Sequence, residues 1–322
     1  MNQVKDYASP DFAWLAPAKL NLFLHITGRR EDGYHLLQSV FQFLDYSDKL
    51  FFNIRTDSTI NLDPPLASVS NDDNIIVKAA KALQKHTNCQ KGADITLDKH
   101  LPMGGGLGGG SSDAATTLLA LNALWETKLS KQELMDIGLT LGADVPVFIF
   151  GHSAWAEGVG EDLEAINLAE DWFLVIFPNI HINTGTIFSS IELTRDKLPI
   201  KIRDFLNGST ENVCEPVVSE LYPEVKEALD WLDKHAEVEA KSNARTNTRT
   251  DIMGDTRTSG RTNARTNAKL TGTGACIFAS FGSEKDSEQQ ARKIAACVPK
   301  KWQVFVAKGL NKTHIENLFT SV

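Results

Sequence analysis

Only four cysteines occur in the 322 residues, Cys89, Cys214, Cys276 and Cys297, and none stands in a C-x-x-C pair or beside a histidine at metal-ligand spacing. That scarcity excludes a disulfide scaffold and a cysteine-built zinc site, and predicts reduced core thiols in a cytoplasmic protein. Long apolar runs are missing too. The longest, such as Phe173–Phe177, fall far short of the roughly 20 residues a membrane-crossing helix needs. The apolar stretch from Phe12 to Ile26 is interrupted by Lys19, Asn21 and His25, so no signal peptide is expected and no membrane partner. Basic residues are also in deficit, 33 Lys and Arg against 41 Asp and Glu, for a net charge of −8. A general nucleic-acid binder needs clustered cations, so no nucleic-acid partner is expected. At 42% hydrophobic residues, the chain has enough apolar surface for one large domain or two.

What is present is unevenly distributed. Short runs of β-branched and aromatic residues before Pro102 (Phe12–Leu15, Asn21–Thr27, Leu50–Ile54, Ala93–Leu97) predict strands. One helix interrupts them from about Asn74 to His86, with Asp72 or Asp73 as its cap and Ile75, Ile76, Ala79, Ala80 and Leu83 on one face. Helical patterns follow from Ser112 to Trp125 and from Ser130, where Ser130 and Glu133 form a capping box. Strands then helices imply an α+β domain over residues 1–165. A second domain, 166–322, mixes a buried strand at Phe173–Phe177, helices near Pro223–His235 and Glu284–Cys297, and strands at Ala275–Phe281 and Gln303–Ala307. Within it, residues 236–269 carry few apolar side chains and repeat Asn-Ala-Arg-Thr-Asn, which predicts a disordered insertion. The insertion holds seven basic and four acidic residues, so 26 basic and 37 acidic residues remain elsewhere, a net of −11.

Three local patterns carry chemistry. Six of the seven residues Gly104–Gly110 are glycine, between a predicted strand and a predicted helix, in the run Leu101 to Ala115. A backbone without side chains can turn its N–H groups toward a phosphate, and the following helix N-terminus adds partial positive charge. Ser111 and Ser112 can cap that helix, donate to phosphate or help hold Mg²⁺. A Walker loop is excluded because no Gly-Lys-Ser/Thr occurs. Gly104, Gly106 and Gly109 match G-x-G-x-x-G, yet a second helix follows where a dinucleotide fold needs a parallel strand. The second pattern is Pro17-Ala-Lys19-Leu-Asn21. On a strand Lys19 and Asn21 share a face, either in a site or at a solvated edge. The third is Asp144, set between an apolar helix and an apolar segment, either a carboxylate held for proton transfer or a turn residue. Gly28–His35 is a hairpin signal whose Tyr34 and His35 can stack on a base or simply pack. Thr271-Gly-Thr-Gly274 is a second small-residue turn.

Together, Pro17–Asn21, Gly104–Ala115, Leu141–Val147 and Leu270–Ala275 resemble the kinase superfamily of galactokinase, homoserine kinase, mevalonate kinase and phosphomevalonate kinase (GHMP). The longer runs Ala16–Leu24, Gly28–His35 and Leu101–Ala115 are similar to the branch whose alcohol acceptor carries a diphosphocytidyl group, in the non-mevalonate route to isoprenoids. The resemblance implies a GHMP-kinase fold with a ribosomal-protein-S5-like first domain, an active site between domains, and the substrates ATP, Mg²⁺ and a small molecule. It further implies that Asp144 is the general base, Lys19 its cationic partner, and Asn21 a substrate-positioning group. Tyr34 and Phe188 correspond to residues that sandwich the cytosine, His35 to one that bonds its edge, and Thr184 to a substrate-positioning threonine. Asn74 and Lys99 correspond to adenine-pocket positions. Pro102, Met103, Gly104, Gly105, Gly106, Leu107, Gly108, Gly109, Gly110, Ser111 and Ser112 form the ATP loop. No metal ligand is assigned, and the oligomeric state is left open. The alternatives are a kinase for mevalonate or homoserine, an NAD(P)-binding oxidoreductase, and an RNA binder.

Overall fold

The computed structural model describes residues 7, 9–31, 33–65, 69–208, 210–247 and 268–314. Two long antiparallel strands open the chain, β1 (Trp14–Arg29) and β2 (His35–Arg55), followed by β3 (Ile60–Leu62), helix α1 (Ile75–Thr87) and β4 (Gly92–Asp98). Three helices come next, α2 (Gly109–Leu124), α3 (Lys131–Leu141) and α4 (Val145–Phe150). The hairpin β5 (Ala154–Glu157) and β6 (Asp162–Ala165) leads to β7 (Trp172–Phe177). Helices α5 (Thr184–Ser189), α6 (Ile202–Leu206), α7 (Glu215–Leu221) and α8 (Pro223–Asn247) precede β8 (Lys269–Leu270), β9 (Ile277–Ser280), α9 (Ser287–Ala295) and β10 (Gln303–Leu310).

One sheet runs in the order β3-β4-β2-β10-β7-β9-β8, with β1 and β5 also on β2. β10 joins the halves, pairing β7 along its length and β2 at Gly309↔Leu44 and Leu310↔Phe43. Two main hydrophobic cores flank this arrangement. The first packs Trp14, Phe43, Leu83, Leu118 and Phe148. The second packs Val175, Ile176, Leu232 and Ile277 and also takes Ala18, Leu20, Leu24 and Ile26 from β1. The division expected at 165/166 falls at the end of β6.

Strand β1 is the element that positions the site. It runs unbroken through what the sequence pattern splits into two strands, because its register shifts between Pro17 and Lys19 and again between Asn21 and Leu24. Such irregularities accommodate a proline that cannot donate to the ladder and re-aim neighbouring side chains. Leu20 is fully buried in the second core, while its neighbours Lys19 and Asn21 point the other way.

Elsewhere the structure corrects several sequence readings. Asn74, not Asp72 or Asp73, caps α1, its Oδ1 accepting from Ile76 N–H at 2.9 Å. β2 begins at His35, directly after the expected hairpin turn, and its polar residues Gln38, Ser39 and Gln42 are buried and hydrogen-bonded. Of the expected disordered insertion at 236–269, residues 236–247 continue α8 and Lys269 lies in β8. Glu, Ala and Lys propagate a helix already nucleated by the buried face from Val225 to Ala236, without needing apolar residues of their own. Residues 248–267 lie outside the described residues. Ala268 is buried and its N–H donates to Asp233 at 2.5 Å, which ties the start of β8 to α8.

Because Leu20 is fully buried directly behind Lys19 and Asn21, Leu20→Ala is expected to lower stability by about 2–5 kcal/mol. Urea denaturation should show a lower midpoint at unchanged slope. A stability loss well under 1 kcal/mol would mean that this strand is not anchored by its core face.

Candidate active site

The glycine-rich loop is shaped by contacts that leave no room for side chains. Gly106 has φ +75°, and a Cβ there would stand 2.3 Å from the Thr271 carbonyl oxygen. Gly108 has φ +71° at the N-cap of α2, where a Cβ would press on the Phe148 ring and approach Lys19 Cε at 3.1 Å. The loop is held to the Thr271–Gly274 turn, since Cys276 N–H donates to the Gly105 carbonyl at 3.0 Å. It is pinned from beneath by Leu101 and Leu107, both buried. The unpaired N–H groups of the first turn of α2 therefore open toward a cleft of about 1370 Å³.

Lys19 reaches this cleft from β1 and is only 3% exposed. Its ammonium donates to Asn21 Oδ1 at 2.5 Å, lies 3.2 Å from Asp144 Oδ2, and sits 5.3 Å from the centre of the Phe41 ring. A buried ammonium is costly unless paired, and here the pairing is complete. Asn21 is fixed in turn: its Nδ2 donates to Ser39 Oγ at 2.8 Å, and its backbone N–H to Thr271 Oγ1 at 2.9 Å. Asp144 stands just before α4 and remains 39% exposed, so one carboxylate is both paired and accessible to a ligand. Across the cleft, Thr184 Oγ1 and Thr273 Oγ1 are 3.0 Å apart.

A second charged cluster lies deeper. Lys99 Nζ is 2.6 Å from both Asp48 Oδ2 and Asp113 Oδ2, and Asp48 Oδ1 accepts backbone N–H bonds from His100 and Leu101 at 2.6 and 2.7 Å. Burial pushes the Asp113 carboxyl up to about 8, against the attraction of Lys99 and with the help of Asp48. Burial works against the Lys99 charge, but the two acids outweigh it and raise its pKa. Lys99 does line the cleft, yet its ammonium is already committed to carboxylates that brace the start of the glycine loop.

The remaining wall is aromatic. His35, first residue of β2, stacks on Phe188 with ring centres 5.1 Å apart and 21° between planes. Tyr34 stands at the rim, 62% exposed. Arg195 joins them, donating to His35 Nε2 at 3.2 Å and to the Phe188 carbonyl at 2.9 Å. Burial lowers the His35 pKa, with Arg195 and Arg29 adding to the effect.

Every sequence-predicted site residue except Ser112 lines this one cleft. Ser112 is fully buried on the core side of α2, with no hydrogen-bond partner for its hydroxyl. Asp48, Asp113, Arg195 and Thr273 were not predicted. Thr273 and Asp113 lay within noted motifs, whereas Asp48 and Arg195 meet Lys99 and His35 across 51 and 160 residues and left no local signal.

The GHMP kinases N terminal domain family matches residues 74–152, the span of α1 through α4. A 4-diphosphocytidyl-2-C-methyl-D-erythritol kinase of Nitrosococcus oceani is 50% identical over 298 residues, covering 92% of this chain and 94% of that one. Another from Pseudomonas savastanoi pv. phaseolicola is 47% identical over 311 residues, with 97% and 96% covered. The chain belongs to the 4-diphosphocytidyl-2-C-methyl-D-erythritol kinase family. A crystal structure of a 4-(cytidine 5'-diphospho)-2C-methyl-D-erythritol kinase superposes with a TM-score of 0.69 at 26% identity, covering 92% of this chain and 99% of that one. A mevalonate kinase shares the fold, with a TM-score of 0.57 at 15% identity over 94% and 100% of the chains. In this kinase family setting the two-domain GHMP fold is the expected α+β frame, and the dinucleotide reading of Gly104, Gly106 and Gly109 falls, because α3 follows α2 with no intervening parallel strand.

The Lys99 cluster generates a stability prediction. Asp48→Ala leaves Lys99 short of one partner and two backbone N–H groups without an acceptor, so a loss of about 3–5 kcal/mol is expected in urea or thermal unfolding. A change under 1 kcal/mol would show that Asp113 alone satisfies Lys99.

Proposed function

We propose that the chain transfers the γ-phosphoryl group of ATP to the 2-hydroxyl of 4-diphosphocytidyl-2-C-methyl-D-erythritol. The observation that carries this reading is the Lys19–Asp144 pair at 3.2 Å, beside a helix N-terminus framed by glycines. In phosphoryl transfer to an alcohol the protein orients the hydroxyl, accepts its proton and offsets charge on the moving phosphoryl group. Asp144 is placed to accept the proton, having an accessible carboxylate. Lys19 pairs with that carboxylate at 3.2 Å and lends a buried positive charge, while Asn21 fixes the ammonium in place. The N–H groups at the start of α2 and the loop Pro102–Ser111 cradle the ATP phosphates, with Asn74 at the edge of the nucleotide pocket.

Mg²⁺ belongs to this reading as the ion that accompanies ATP. Among the described residues no group of three or more His, Cys, Asp or Glu forms a metal cage. The cleft offers the Asp144 carboxylate and the Ser111 hydroxyl instead, which suits an ion that keeps most of its ligands as phosphate oxygens and water. Bound there, it would neutralise phosphate charge.

The cytidyl end is assigned to Tyr34, His35 and Phe188, with Thr184 and Thr273 placed for the diphosphate-bearing alcohol. Mevalonate and homoserine have no base to meet that aromatic wall. No helix of the described residues is long and apolar enough to cross a membrane. The four cysteines are free thiols, which suits a cytoplasmic enzyme.

Two experiments test the reading. Asp144→Asn should lower kcat by about 100-fold or more while leaving ATP affinity largely intact. Unchanged kcat removes Asp144 from its role. ADP release should occur with the cytidyl acceptor and not with mevalonate or homoserine; turnover only with a smaller alcohol would reassign the aromatic wall.

The base site also has a pH signature. His35 is neutral at pH 7 because its pKa lies below the ordinary 6.5. Its accepted bond from Arg195 is intact above that depressed value and is lost as pH falls through it. KM for the cytidyl acceptor should therefore rise as pH falls through that depressed value, with KM for ATP following a different profile. An acceptor KM that stays flat while NMR shows His35 taking up its proton would detach His35 from base binding.

A further inference from the structure

Arginine carries only donors, so the 3.2 Å bond from Arg195 Nε fixes His35 Nε2 as an acceptor. The neutral ring must then hold its proton on Nδ1. Arg195 is itself rigidly held. Its Nη1 donates to the Leu193 carbonyl at 3.1 Å, and its Nη2 to the carbonyls of Phe188 and Ser190 at 2.9 and 2.6 Å. The planar guanidinium thus spans two segments 160 residues apart, holding His35 stacked on Phe188 in the cleft wall. Arg195 lines that wall, but its fork is turned to protein acceptors.

We propose that Arg195 is the positioning residue that sets the choice of pyrimidine, by locking His35 in the Nδ1–H tautomer so that the site presents a donor to the base edge. Cytosine accepts at N3, where uracil carries a proton, while O2 accepts in both bases and does not separate them. An Nδ1–H donor fixed opposite N3 therefore matches cytosine and meets N3–H of uracil donor to donor. A ring free to switch tautomer would accept either base. A site whose polar groups are left unpaired by the wrong ligand rejects it far more strongly than shape alone does. This inference rests on the base-binding reading of Tyr34, His35 and Phe188 given above.

The test has two arms. In the first, long-range ¹H–¹⁵N NMR of the wild-type protein reads the His35 tautomer. Protonated Nδ1 and bare Nε2 are expected, with the Nδ1–H population falling toward a mixture in Arg195→Ala. A wild-type His35 protonated on Nε2 overturns the proposal, and that wild-type measurement needs neither substrate nor a folded variant. In the second arm, CDP and UDP compete against the cytidyl acceptor in the turnover assay. Wild type should favour CDP by about tenfold or more, narrowing to within about twofold in both Arg195→Ala and Arg195→Lys, since lysine lacks the planar fork. The loss should fall on acceptor KM rather than on kcat. Selectivity that survives in both variants with the tautomer changed overturns the specificity role. If wild type shows the Nδ1–H tautomer yet binds neither CDP nor the acceptor, the base-site reading fails while the Arg195 lock stands.

Discussion

Burial of the Lys19 ammonium is the constraint on which the site depends. A cation 3% exposed is tolerable only with partners within hydrogen-bond reach, and those partners come from separated parts of the chain. Asn21 lies two residues along β1, Asp144 arrives from the turn before α4, and the Lys19 backbone N–H donates to the Leu107 carbonyl in the glycine loop at 3.0 Å. Asn21 then reaches Thr271 on the turn that clamps the loop. One charge thereby registers four segments against each other, which is the preorganisation that transfer chemistry needs before a substrate arrives.

The contrast with Lys99 shows what separates Lys19, proposed above to act in the transfer, from a bracing lysine. Both are amines held by carboxylates at the edge of the same cleft. Asp144 is 39% exposed, so its second oxygen can meet a hydroxyl. Asp48 and Asp113 are 0% and 3% exposed, and Asp48 spends its other oxygen on backbone N–H groups. The Lys99 cluster braces the loop's entry strand, and although Asp113 Oδ1 has no hydrogen-bond partner, neither carboxylate is exposed as Asp144 is.

Local chemistry was legible in the sequence, and long-range pairing was not. The glycine loop, the shared face of Lys19 and Asn21, the Ser130–Glu133 capping box and the strand at 173–177 each depend on residues within a few positions of one another. Asp48 gave no signal because its partners lie 51 to 53 residues away, and Arg195 none because His35 is 160 residues distant. At 236–247 low hydrophobicity read as disorder, although helix propagation needs only propensity and a nucleus.

The two ends of the cleft are built from different materials, and that difference determines where specificity resides. The phosphate end is mostly backbone, glycines and a helix terminus, and backbone makes no distinction among alcohols. The mevalonate kinase that shares the fold at 15% identity makes the same point, since a common frame does not select an acceptor. The other end is built of side chains, with His35, Phe188 and Arg195 holding one another across the sheet hairpin and α5. Selectivity must therefore come from contacts of that kind, and under the proposal above the proton on a His35 ring nitrogen is the contact that chooses the base.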